Sequence, residues 1–188
     1  PFGRVGIAPD GRIHVISEVR GPEADRHDLT FGAFTGVQIF DTQLLDLVPD
    51  EPCDILRTAH RQLLEKGTPV LGDFAPDDSV WLDVGTPDRY LDAHGAFIDG
   101  RLDGSHLPAS DASGRRIAVD VMVHPDSQIQ GPCVVMPGAQ IASGALVGPG
   151  CFIGRSATVK AGVSINGCVV WPGCVADRDG TDQIFYER

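Results

Sequence analysis

Valine or isoleucine occupies every sixth position from Val123 through Ile129, Val135, Ile141, Val147, Ile153 and Val159 to Ile165. The two residue types fill about one position in six, so eight hits in one phase arise by chance on the order of once in a million. A second series follows four residues behind, through Ser127, Cys133, Ala139, Ala145, Cys151, Ala157 and Val163, and is nearly all small. Pro125, Gly131, Pro137, Gly138, Gly144, Pro149, Gly150, Gly162 and Gly167 lie between them.

A repeat of six fits neither the helical period nor simple alternation. It fits a short strand followed by a tight turn, three of which close one triangular coil. Stacked coils place each Val or Ile over the residue eighteen positions on, with backbones paired at roughly 4.8 Å. The branched residue fills the axis, and the small one lets the chain pass the corner. This resembles the hexapeptide-repeat, left-handed β-helix family over residues 121–176, about three coils. Such a coil serves transferases and assembly modules alike, so it fixes fold rather than function.

Net charge is −11, from 26 acidic and 15 basic residues, which disfavours nucleic acid as a partner. No apolar run reaches the length of a membrane span and no charged start leads into a signal core; the expected setting is cytoplasmic. The five cysteines form no CxxC pair. Cys133 and Cys151, eighteen apart at the small inward position, read as core packing rather than a bridge.

Upstream, residues 4–19 read as a hairpin turning at Pro9-Asp10-Gly11. Residues 20–30 read as a charged loop and 34–40 as a buried strand, followed by a short helix over 42–47 and a longer one over 55–66. Strands are expected at 70–74 and 80–84. Thr86-Pro87-Asp88 then opens a third helix, with Thr as cap and Pro at the first helical position. Alternating strands and helices imply an α/β, Rossmann-like layer over 1–100, a linker over 101–120, and the β-helix with a short tail over 121–188.

Three stretches carry a more specific resemblance: Phe34-Thr35-Gly36-Val37-Gln38-Ile39-Phe40, the 54–67 helix ending Leu63-Leu64-Glu65-Lys66-Gly67, and above all W-x-D-x-G-T-P-x-x-Y-L at 81–91. In this order, ahead of a β-helix, they look like the later half of the sugar-1-phosphate nucleotidyltransferases, most of all the guanylyltransferases that make GDP-mannose and then the glucose-1-phosphate enzymes. The resemblance implies attack of a sugar-1-phosphate oxygen on the α-phosphate of a nucleoside triphosphate, with pyrophosphate leaving and charge neutralised by a divalent cation. By the family's pattern Asp83 is one of two aspartates that bind Mg²⁺, and Thr35 and Gly36 lie beside the sugar. Glu18 stands where the family carries a Glu-Lys-Pro triplet whose Glu holds sugar hydroxyls. Val19 takes the Lys position, with Arg20 the neighbouring cation.

The family's Gly-rich nucleotide loop has no counterpart in these residues, nor has the second aspartate. The resemblance therefore implies a longer parent chain and no catalysis by these residues alone, with assembly into a homo-oligomer through the β-helix. Two other readings stand beside it: a non-catalytic regulatory or assembly subunit, and a hexapeptide-repeat acyltransferase using His124 or His106 as base. A carbonic-anhydrase-like zinc site needs three histidines where the coils offer one.

Overall fold

The structure is a computed structural model and describes residues 3–187. It divides into two compact units, 1–81 and 82–188.

In the first unit β1 (Arg4–Ile7) is flanked by β2 (Ile13–Ile16) and β4 (Thr30–Ala33), and β3 (Val19–Arg20) extends the sheet beyond β2. The order β3-β2-β1-β4 is antiparallel throughout. The hairpin turns where expected, with Gly11 at φ 81 and the Arg12 amide donating to the Asp10 carboxylate. Ile16, Val19 and Leu64 make a small core against Ile13, Leu56 and Val70. Phe31 lies across its strand partner Gly6, where an added Cβ would stand 2.8 Å from the ring, and the Arg4 guanidinium caps the same ring at 3.6 Å.

Several expectations for this unit need correction. The α/β, Rossmann-like layer is replaced by an antiparallel sheet with little helix. Residues 34–40 form no strand, and Val37 and Ile39 are 78% and 100% exposed. Their apolar character reports a surface without a cover in this chain, not burial. Residues 70–74 and 80–84 are also irregular; only Leu71 makes a bridge, to Arg12. The helix over 55–66 is present but divided, a π turn at Leu56–His60 running into α1 (Arg61–Glu65). The 42–47 helix is a 3₁₀ segment, Thr42–Leu47, opened by the Asp41 carboxylate on the Gln43 amide.

The second unit begins with α2 (Pro87–Ile98). Thr86 accepts from the Arg89 amide, Pro87 stands at the first helical position, and Gly100 ends the helix at φ 74. Thirteen short strands follow: β5 (Arg115–Ile117), β6 (Met122–Val123), β7 (Gln128–Ile129), β8 (Cys133–Val135), β9 (Gln140–Ile141), β10 (Leu146–Val147), β11 (Phe152–Ile153), β12 (Thr158–Val159), β13 (Ser164–Asn166), β14 (Val169–Val170), β15 (Val175–Ala176), β16 (Gly180–Thr181) and β17 (Ile184–Phe185). Every third one pairs in parallel, giving three sheets: β5-β8-β11-β14-β17, β6-β9-β12-β15 and β7-β10-β13-β16. This is a parallel β-helix of about four turns.

The sixfold series points into the axis. Val135, Ile141, Val147, Ile153, Val159 and Ile165 are at most 2% exposed, each contributing roughly 1.5–3 kcal/mol by burial. The small series lines the same core through Cys133, Ala139, Ala145, Cys151 and Ala157. Val123 and Ile129 belong to the first coil, which has no coil over it, and stay more open. The coil also starts earlier and ends later than the hexad pattern: β5 falls inside the expected linker and β17 past residue 176.

One step in the stack departs from the pattern. Ile153 pairs with Val170, seventeen residues on, although the phase of six points to Trp171. The corner after Ile165 is one residue short, with Gly167 at φ 59. Val170 therefore turns inward and Trp171 outward. The outward face of the first sheet is covered in turn: Ile98 and Leu107 enclose Val134, with Phe97, Met136 and Phe152 packed around them.

Candidate functional site

The anticipated residues fall on both units. In the first, topology gathers three of them. β2 and β4 both run antiparallel to β1, so the turn after β2, with Glu18, and the segment after β4, with Thr35 and Gly36, leave the sheet at the same end, on either side of β1. Ser17, at φ 56, sets the direction of that turn. The Glu18 carboxylate takes the Arg57 guanidinium at 2.7 Å and the Ser17 hydroxyl at 3.2 Å. Gly36 sits at φ 85, and an added Cβ there would meet nothing within 4 Å. Its glycine answers a backbone requirement and leaves open space above the main chain. Arg20 is engaged elsewhere, pairing with Asp25 and donating to the Ala24 carbonyl.

In the second unit Asp83 lies just ahead of α2, its side chain 27% exposed. One oxygen accepts from the Gly85 amide at 3.0 Å and the other meets the Arg89 guanidinium. An added Cβ at Gly85 would stand 3.1 Å from Asp83 Oδ1. The motif is thus a turn that locks itself: Asp83 holds it, Gly85 leaves room for the carboxylate, Thr86 caps the helix and Pro87 begins it. No strand delivers Asp83 to this place.

Mg²⁺ takes six oxygens in near-octahedral array. Asp83 offers one carboxylate, already paired with Arg89, and no group of three His, Cys, Asp or Glu side chains is placed for a metal among the described residues. These residues do not by themselves complete a magnesium site.

His124 pairs through Nδ1 with Asp126, whose carboxylate also accepts from the Ser143 hydroxyl at 2.9 Å and is held below the usual carboxylate range chiefly by that bond. His106 stands edge-on to Phe97. All five cysteines are free; Cys53 is exposed and the other four are buried. Burial pushes the Cys133 thiol up to about 11. The hydrogen bond with Cys168, together with burial, pushes the Cys151 thiol up as well.

A feature not anticipated from the sequence is a cleft of about 280 Å³ between α2 and the coil, bordered by Tyr90, His94, Phe152, Arg155 and Trp171. Its signal was the fall of Trp171 on the inward phase, where a side chain of that size does not fit the axis. The corner before it, one residue short, turns Trp171 outward. Among the described residues, no helix is long and apolar enough to cross a membrane.

No protein-family model matches the sequence, and no curated protein matches it.

Proposed function

We propose that these residues form the C-terminal part of a sugar-1-phosphate nucleotidyltransferase, with mannose-1-phosphate and GTP as the first pair to test and glucose-1-phosphate with UTP, dTTP or ATP next. The observation that carries the reading is the 81–91 motif, a self-locked turn that holds a partly exposed carboxylate at the start of a capped helix. Glu18, Thr35 and Gly36, gathered at one end of a sheet, support it as sugar-facing groups. The bare apolar side chains Val37, Ile39, Leu71 and Val80 support it too, because a surface of this kind calls for a cover. In this reading further polypeptide provides the cover, the nucleotide loop and the second carboxylate. Asp83 then contributes one oxygen ligand to a Mg²⁺ shared with that carboxylate, and the positive end of α2 adds to the field on the phosphates. The coil, left-handed as hexapeptide spacing implies, joins copies of the protein.

A second reading rests on the first coil. Val119, Met122 and Val123 are 106%, 58% and 44% exposed beside unpaired strand edges, which suits an assembly subunit that pairs through its β-helix. Pyrophosphate release from the whole gene product, with a panel of sugar-1-phosphates and nucleoside triphosphates, decides between them. Release with at least one pair supports the enzyme. Silence across the panel, with stable association through the coil, supports the assembly subunit.

A further inference from the structure

We propose that the cleft between α2 and the coil binds a planar aromatic anion, a single ring system carrying a phosphate or carboxylate. The inference goes beyond the nucleotidyltransferase reading and uses the second unit alone. Helical spacing puts Tyr90 and His94 on one face of α2, ring centroids 4.5 Å apart. His94 meets Phe152 edge to face at 4.8 Å, and Tyr90 meets Trp171 in the same manner at 6.1 Å. Rings that meet edge to face leave π surface unmatched, and Trp171 stays 41% exposed beside the opening. Gly154 borders the opening as well and brings no side chain into it.

Polarity sets the rest of the ligand. The His94 Nδ1 proton is donated to the Tyr90 carbonyl at 2.9 Å, which leaves Nε2 as an acceptor in the neutral ring. Arg155 borders the opening, and its guanidinium has no hydrogen-bond or ion-pair partner among the described residues. An unmatched cation in a chain of net charge −11 is a place for an anion. A sugar suits the cleft less well, because its several hydroxyls would meet mainly ring carbon. A volume of about 280 Å³ lies at the lower limit for small-molecule sites, roughly 300 Å³, and holds one ring system with a short substituent.

Calorimetric titration of the 188-residue chain with GMP and with indole-3-carboxylate tests this, with guanosine and ribose 5-phosphate as the ring without anion and the anion without ring. At least one of the two ring anions binds, and which one identifies the class of anion. Removing either ring or charge weakens binding roughly tenfold or more. Arg155→Gln, at an exposed position that leaves the coil intact, weakens the ring anion by a similar factor and leaves guanosine unchanged. Trp171→Leu, with its circular dichroism matched to the parent, weakens both. The proposal is overturned if neither ring anion binds at about millimolar concentration. It is overturned equally if binding is indifferent to both substitutions.

Discussion

Ile153 and Val170 lie one above the other in adjacent coils, paired in parallel register although seventeen residues separate them. Both side chains are fully buried. The pair marks where the chain abandons its period of six to keep its axis filled. Ile153→Ala therefore opens a cavity between coils that cannot collapse, and is expected to cost about 2–5 kcal/mol in denaturant unfolding. A loss below 1 kcal/mol would mean that the axis is less tightly filled than described.

Gly154 approaches the next coil more closely than a side chain permits, with the Val170 carbonyl oxygen 2.7 Å and the Pro172 nitrogen 2.6 Å from an added Cβ. Both are backbone atoms inside a hydrogen-bonded stack. Gly154→Ala is expected to destabilise by about 1–3 kcal/mol through overpacking. Thermal unfolding checks it, and an unchanged midpoint would contradict the spacing of the coils.

Asp111 ties down the start of the coil. Hydrogen bonds from Ser113, then from Arg115, hold its carboxyl well below the usual range. A carboxyl lowered on folding stabilises the fold above its unfolded value, about pH 4, and loses that contribution as pH falls through the lower folded value. The melting temperature of Asp111→Asn should lie below that of the parent near neutral pH, and the gap should close as the pH falls below about 4. A gap that is constant with pH would remove the ionised carboxylate from this role.

Exposure separates the thiols. Cys53 is open to solvent, whereas Cys133, Cys151, Cys168 and Cys174 are buried. A thiol-exchange reagent near neutral pH should consume one thiol per chain quickly and the other four only on unfolding. Fast reaction of two or more would show that the coils open.

The β-helix was legible because it repeats: Val135 and Ile165 meet the same environment, so the pattern speaks many times over. The break at Val170 left a single trace, Trp171 on the inward phase, and the period alone does not say at which corner the residue is missing. Helix α2 was legible from Thr86 and Pro87, whose capping chemistry is local. The first unit misled at Val37 and Ile39, where a buried strand and a bare apolar surface have the same composition and differ only in what lies opposite. Asp83 was named from its motif, but its engagement by Gly85 and Arg89 depends on the turn's geometry. The cleft needed two segments some eighty residues apart in sequence, Tyr90 and Trp171, and no local pattern joins them.

In the proposed nucleotidyltransferase, Asp83 supplies part of a magnesium site. The direct measurement is pyrophosphate release by the whole gene product and by its Asp83→Asn variant as Mg²⁺ is titrated, with the sugar and nucleotide pair that the panel selects. Turnover is expected in the parent and, in the variant, a loss of roughly a hundredfold or more or a matching rise in the Mg²⁺ required. Full turnover in the variant at unchanged Mg²⁺ demand would contradict it.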